Sequence, residues 1–166
     1  MKPCYLVLIA TAVLPAMLAY ADEPVSASDR SFVAMVSQGG MFEVKAGQLA
    51  ADQGSTQDIK DQGTTEAHDH KLVGEKLKSI ASSNHIQFTD ELNADFQKQL
   101  DDLKALSGLA FDAAYLKDME AIHAKDGAAF AKEAKAGSNP ALRDFAAETH
   151  RIVVRHIAEL RASGTN

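Results

Sequence analysis

The sequence predicts an all-α fold, a four-helix bundle with one additional connecting helix. Three observations carry this. Apolar residues recur three and four positions apart along five separate stretches. No stretch alternates apolar with polar as a half-buried strand would. The stretches are separated by Ser, Asn, Gly and Pro at positions where helices start or stop.

A removable segment stands ahead of the helices. Lys2 supplies a positive start, a mostly apolar run extends from Tyr5 to Tyr20, and Ala19-Tyr20-Ala21 forms the small-x-small pattern of a signal-peptidase site. The run is short beside the roughly 20 apolar residues of a membrane span. The expectation is a signal peptide over residues 1–21, a periplasmic or secreted protein, and no transmembrane span in the mature chain. Cys4 lies inside this segment, so the mature chain has neither disulfides nor thiolate ligands. Residues 22–29 read as a flexible leader, and residues 30–163 as the bundle domain.

The first helix is expected from about Arg30 to Asp52, with Phe32, Val36, Gly39, Glu43, Ala46 and Ala50 on its inner stripe. Gly39-Gly40 weakens it by about 1 kcal/mol per glycine, which close approach of a neighbouring helix explains. The second helix starts at Ser55, with Asp58 completing a capping box, and carries Ile59, Gly63, Glu66, His70, Val73, Leu77 and Ile80 inward. A loop with Asn84 and His85 ends it. Thr89 is expected to cap the third helix, whose stripe is Leu92, Phe96, Leu100, Leu103 and Leu106. Ser107-Gly108 breaks the chain before a fourth helix reaching about Ala136, with Leu109, Asp112, Leu116, Met119, His123, Phe130 and Ala134 inward. Gly137 ends it, Asn139 caps the fifth helix and Pro140 takes its first position. Leu142, Phe145, Thr149, Ile152, His156 and Leu160 line that helix's inner face.

Ionisable residues interrupt these apolar stripes at Glu43, Glu66, His70, His123 and His156. Counting about 1.5 Å per residue from the connecting turns puts them at similar heights. Glu43 and Glu66 are level across the first hairpin, and His123 and His156 are nearly level across the second. His70 and His123 are equally far into helices that run parallel if the third helix returns the chain. His68 and His150 point away from the stripe, and His85 falls in a loop. Asp112 is inward but too far from His123 to join it; a role at the start of its helix, or a pair with Arg161, suits it better.

Three imidazoles and a carboxylate suit a transition metal such as zinc, iron or copper, and not calcium or magnesium. A single site of Glu43, His70, His123 and His156 is the simplest construction, with Glu66 and Glu120 as extra or outer ligands. Glu120 precedes His123 in a Glu-x-x-His pair, but two-metal carboxylate bundles need such a pair on each of two helices. A two-iron oxidase or peroxidase is disfavoured accordingly. The same residues could instead form a metal-free polar network, since buried histidines are commonly satisfied by carboxylates. That alternative describes a non-catalytic envelope protein with a protein partner. Loss of Lys2 leaves 16 basic against 23 acidic side chains, a net charge of −7, which argues against nucleic acid or anionic lipid as partners. No nucleophile arrangement, phosphate loop or nucleotide fingerprint is present.

Several of these segments resemble a known family. Gly39-Gly40-Met41-Phe42-Glu43-Val44 continuing to Gly47-Gln48-Leu49-Ala50, Asp69-His70, Leu106-Ser107-Gly108-Leu109-Ala110-Phe111-Asp112 with Tyr115 and His123, and His156 are similar to the ferritin-like domain-of-unknown-function family 4142, common among exported bacterial proteins. The resemblance covers about Arg30 to Ala162 and implies a ferritin-like bundle and an exported location, without an established reaction. The chain departs from the family pattern at Glu66, where an apolar residue is frequent, and at His150-Arg151, where Leu-Pro is frequent.

Overall fold

The structure, a computed structural model, describes residues 25–163. The expected signal peptide and residues 22–24 of the expected leader lie outside the described residues. Five helices follow: α1 (Ala27–Gln53), α2 (Gln57–Ser83), α3 (Ala94–Lys104), α4 (Gly108–Ala136) and α5 (Pro140–Ser163), with no strand among the described residues.

The helix ends show which polar residues won the capping positions. α1 starts three residues earlier than its apolar stripe suggests. The Ser26 hydroxyl accepts from the Asp29 backbone N–H, and the Asp29 carboxylate accepts from that of Ser26 at 2.8 Å. Asp29 also accepts from the backbone N–H groups of Ser138 (2.9 Å) and Asn139 (3.2 Å), and is fully buried. Residues 26–29 of the expected leader are therefore cap and first turn. Thr56, not Ser55, caps α2. Asn93, not Thr89, caps α3, its side-chain oxygen accepting from the Phe96 N–H at 2.9 Å. Asn139 caps α5 as expected, through the Leu142 N–H at 3.1 Å.

Hydrogen bonds between the connecting turns fix the topology. Asp29 ties the start of α1 to the α4–α5 turn, and Asn139 donates to Asn84 beyond the end of α2 at 2.7 Å. At the opposite end, Asp112 near the start of α4 accepts from the Ser55 backbone N–H at 3.0 Å and from its hydroxyl. Its carboxylate is thus engaged by Ser55 and not by Arg161, while it keeps the expected place near the start of α4. Consequently α1 and α5 run one way, and α2 and α4 the other. α1 packs on α2 and α4, and α5 packs on α4 and α2, so every long helix lies antiparallel to its neighbours. The chain crosses from α2 to the diagonally opposite α4 through α3, which lies on α1 and α4. Two hairpins joined by one crossover is the layout of ferritin-like bundles.

Two apolar layers fill the interior. The upper one gathers Phe32, Val36, Leu77, Phe130, Phe145 and Val153; the lower one gathers Phe42, Ala46, Ile59, Leu103, Tyr115 and Leu160. Leu106 and Leu109, expected inward, are exposed. They flank Gly108, whose φ of +57° turns the chain sharply and carries both side chains off the stripe. Along the α1–α2 seam the helices touch in the lower half, where a Cβ on Gly47 would lie 2.7 Å from the Gly63 carbonyl oxygen. They part in the upper half, where a Cβ on Gly40 or Gly74 would meet nothing within 4 Å.

Candidate metal centre

Between the apolar layers the four long helices bring Glu43 (α1), Glu66 and His70 (α2), His123 (α4) and His156 (α5) into one buried layer, each at most 2% exposed. Four atoms converge: His70 Nε2, His123 Nε2, His156 Nδ1 and Glu66 Oε2. Glu66 Oε2 lies 3.3 Å from His70 Nε2, 3.3 Å from His123 Nε2 and 3.0 Å from His156 Nδ1. His156 Nδ1 lies 3.3 Å from each of the other two ring nitrogens. A tetrahedron around an ion with metal–nitrogen bonds of about 2.0–2.1 Å has edges of roughly 3.3–3.4 Å. Five of the six edges are thus within a few tenths of an ångström of that figure, and the four atoms all lie within 4.8 Å of one another.

The other nitrogen of each ring is anchored outside this tetrahedron. His70 Nδ1 donates to Glu43 Oε2 at 2.9 Å. His123 Nδ1 donates to the Met119 carbonyl at 2.8 Å. His156 Nε2 donates to Asp69 Oδ2 at 3.0 Å. These three bonds select the tautomers whose inward nitrogens carry lone pairs, the outer-shell arrangement that orients metal-bound histidines. Both Glu66 oxygens and Glu43 Oε1 are buried without a well-directed hydrogen bond. Buried polar atoms in that condition call for an ion or water. Two carboxylates and three neutral imidazoles would be balanced by one divalent cation, so the donor set fits a transition metal.

The electrostatics of the metal-free layer agree. Burial by itself would raise the Glu66 carboxyl, but the imidazoles of His123, His156 and His70 packed around it, which turn N–H groups toward it when they take up protons, reverse this and hold it well below its ordinary range. Glu43 is likewise lowered, burial being overcome by the charge and hydrogen bond of His70. Burial opposes protonation of His70, yet the charge of Glu43 and bonds to both glutamates raise it to about 10. His123 is raised for the same reasons, Glu66 contributing most against burial. The layer concentrates negative charge that takes up protons or a cation. Asp126, one turn from His123 and lodged against Gly39, is pushed up to about 7 by burial and then by the charge of Glu43.

Among the residues expected from sequence, the structure brings together Glu43, Glu66, His70, His123 and His156. It exchanges the two glutamates: Glu66 joins the tetrahedron, while Glu43 stands behind His70, its nearest approach to His123 Nε2 being 3.6 Å. Glu120 is exposed. The buried face of α4 is centred on Met119, His123 and Phe130, which leaves position 120 at its edge, about 100° from Met119. His68 and His85 are exposed and His150 is half-buried, outside the layer. Sequence reasoning missed Asp69 as the anchor of His156. It lies about 100° around α2 from His70, and nothing in sequence says that α5 packs there.

The fold and this layer define a helical bundle with a buried histidine–glutamate cluster able to hold a metal ion. The chain matches the family described as Domain of unknown function (DUF4142) over residues 14–162, and it belongs to that family. No curated protein and no solved structure matches it.

Proposed function

We propose that this protein binds one divalent transition-metal ion through His70, His123, His156 and Glu66, and serves metal handling or stress protection in the cell envelope, to which residues 1–21 direct it. The observation that carries this is the near-tetrahedral set of inward atoms, each ring fixed from behind in the lone-pair-inward tautomer. Four protein ligands close the coordination sphere, which suits holding a metal better than catalysis, since catalytic centres leave a position open. Glu43 acts through His70 as a positioning residue.

Elemental analysis of the mature, tag-free protein beside the H70A/H123A/H156A variant tests the proposal. One equivalent of metal in the parent and none in the folded variant is expected. No metal in either, after reconstitution, overturns it. One observation favours the metal-free reading: His70 lies between two carboxylates, 2.9 Å from Glu43 Oε2 and 3.3 Å from Glu66 Oε2, whose charge favours its imidazolium form when no metal competes. In that case the layer is a structural network of an envelope interaction protein.

A further inference from the structure

Two places on the surface come within one side chain of the inward layer, and they differ in chemistry. Where α1 and α2 part, a cleft of about 250 Å³ reaches His70 between Val36, Val44, Val73, Leu77 and Phe130. Its buried walls are mostly aliphatic and aromatic; the charged residues that line it, Lys71, Glu75, Lys78 and Asp90, are all exposed, and Lys78 is paired with Asp90, so a divalent ion would shed its water further in with little to replace it. The second is the α2–α5 seam. Here His156 Nε2 meets Asp69, which is 20% exposed, and Arg155, 51% exposed, pairs with the same carboxylate oxygen. Arg155 also lies 3.5 Å from Glu159, a second carboxylate one turn along α5.

The outer anchors of the three histidines are unequal in the same sense. His70 is held by Glu43, 1% exposed, and His123 by a backbone carbonyl of its own helix. Only His156 is anchored on a side chain that touches solvent and is itself tied to the half-exposed Arg155. Arg155 Nη2 also lies 3.1 Å from His156 Nε2. If that nitrogen accepts from Arg155 instead of donating to Asp69, the ring proton moves to Nδ1, where it faces the other ligands. The pair therefore controls both the position and the tautomer of one ligand.

We propose that the Asp69–Arg155 pair is the port through which the metal enters and leaves, with His156 the ligand that opens. This rests on the metal-binding reading above. Asp69 offers an arriving cation a partly exposed carboxylate. Arg155 bars it by like charge and by keeping Asp69 on His156, until the guanidinium swings away.

The test follows Co²⁺ uptake, and its release to a chelator, by stopped-flow absorbance in the mature protein and in Arg155→Ala and Gly74→Leu. Arg155→Ala is expected to accelerate both uptake and release about three- to fivefold, near the ceiling for a half-exposed ion pair. Acceleration in both directions marks a port, whereas a merely structural role for Arg155 would change release alone. Gly74→Leu, which fills the apolar cleft from a position with open space, is expected to leave both rates unchanged. Slowing by Gly74→Leu with no effect of Arg155→Ala would place the port at the cleft and overturn the proposal, as would unaltered rates in both variants. Failure of the parent protein to take up Co²⁺ at all would overturn the metal-binding reading, and the port with it.

Discussion

The upper apolar layer and the polar layer beneath it are built by the same four helices and are buried to the same degree, but burial acts on them with opposite sign. Phe32, Phe130 and Phe145 meet edge to face at centroid distances of 5.4, 6.0 and 6.5 Å, and removing them from water stabilises the fold. Glu43 and Glu66, each 1% exposed, are destabilised by the same removal unless histidines or an ion offset it. The apolar layers hold the helices in register; the polar layer is tolerated within that frame, and its energy depends on what balances its carboxylates.

The largest expected effect falls on the frame. Phe145→Ala should cost about 3–5 kcal/mol, read as a lowered urea midpoint with or without metal. A loss below about 1 kcal/mol would mean that the upper layer does not carry the fold.

Metal should act on the polar layer alone. At a free concentration a thousandfold above Kd, it should add about 4 kcal/mol of stability, and Glu66→Gln should abolish most of that gain while leaving the metal-free protein folded. An undiminished gain in the variant would remove Glu66 from the ligand set.

His70→Leu sharpens the contrast in the metal-free state. It strips Glu43 of its partner at 2.9 Å, and breaking a buried pair from one side costs about 3–5 kcal/mol. Adding Glu43→Met should recover most of that loss in chemical denaturation. No recovery would show that the pair is not a unit.

The pH dependence of the metal-free protein follows from the shifts. His70, raised to about 10, contributes stability that is complete below its ordinary pKa of 6.5 and is lost as pH rises through 10. Asp126 and Glu133 are carboxyls raised to about 7. Burial is the leading cause in both, aided by the charge of Glu43 in the first and by a hydrogen bond with Asp29 in the second. Their contribution is complete below their ordinary pKa values of 3.8 and 4.5 and is lost as pH climbs through 7. Glu43 and Glu66 are held low, so theirs is present above 4.5 and lost in acid. Urea midpoints across pH should therefore peak near about pH 5. With metal bound, the ion replaces the protons of the histidines and the peak should move upward. A peak that stays put on metal addition would contradict binding at these residues.

The smallest effect separates the two halves of the α1–α2 seam. Gly74→Ala should stabilise by about 0.5–1 kcal/mol through helix propensity alone, because its Cβ enters open space. Gly47→Ala should destabilise, since the added carbon meets backbone of α2. Thermal melts of the two variants moving in the same direction would refute the picture of a seam tight below and open above.

Much of this was legible in the sequence. Inner stripes of α1 and α5 were read almost residue for residue, because a 3.6-residue period records which face meets the core. Glu43, Glu66, His70, His123 and His156 were found as breaks in those stripes. Cap positions were harder: Ser55, Thr56, Thr89 and Asn93 are all competent N-caps, and the choice fell to tertiary contacts such as Ser55 with Asp112. Glu120 stays exposed because a Glu-x-x-His spacing puts two residues within about 60° of each other, which is not enough to be buried when the face is centred on the far side of the histidine.

The sequence by itself determined five helices, an inward ionisable layer and a donor set of nitrogen and oxygen, since periodicity and side-chain chemistry are local properties. Only the tertiary structure decided which glutamate joins the histidines. Side chains lean toward the start of their own helix, so on α2 His70 leans over Glu66 and meets it at Nε2. On the antiparallel α1 Glu43 leans the other way and meets Nδ1. Helix direction and neighbour, which no single stripe encodes, separate the glutamate that joins the three inward nitrogens from the one that stands behind a histidine.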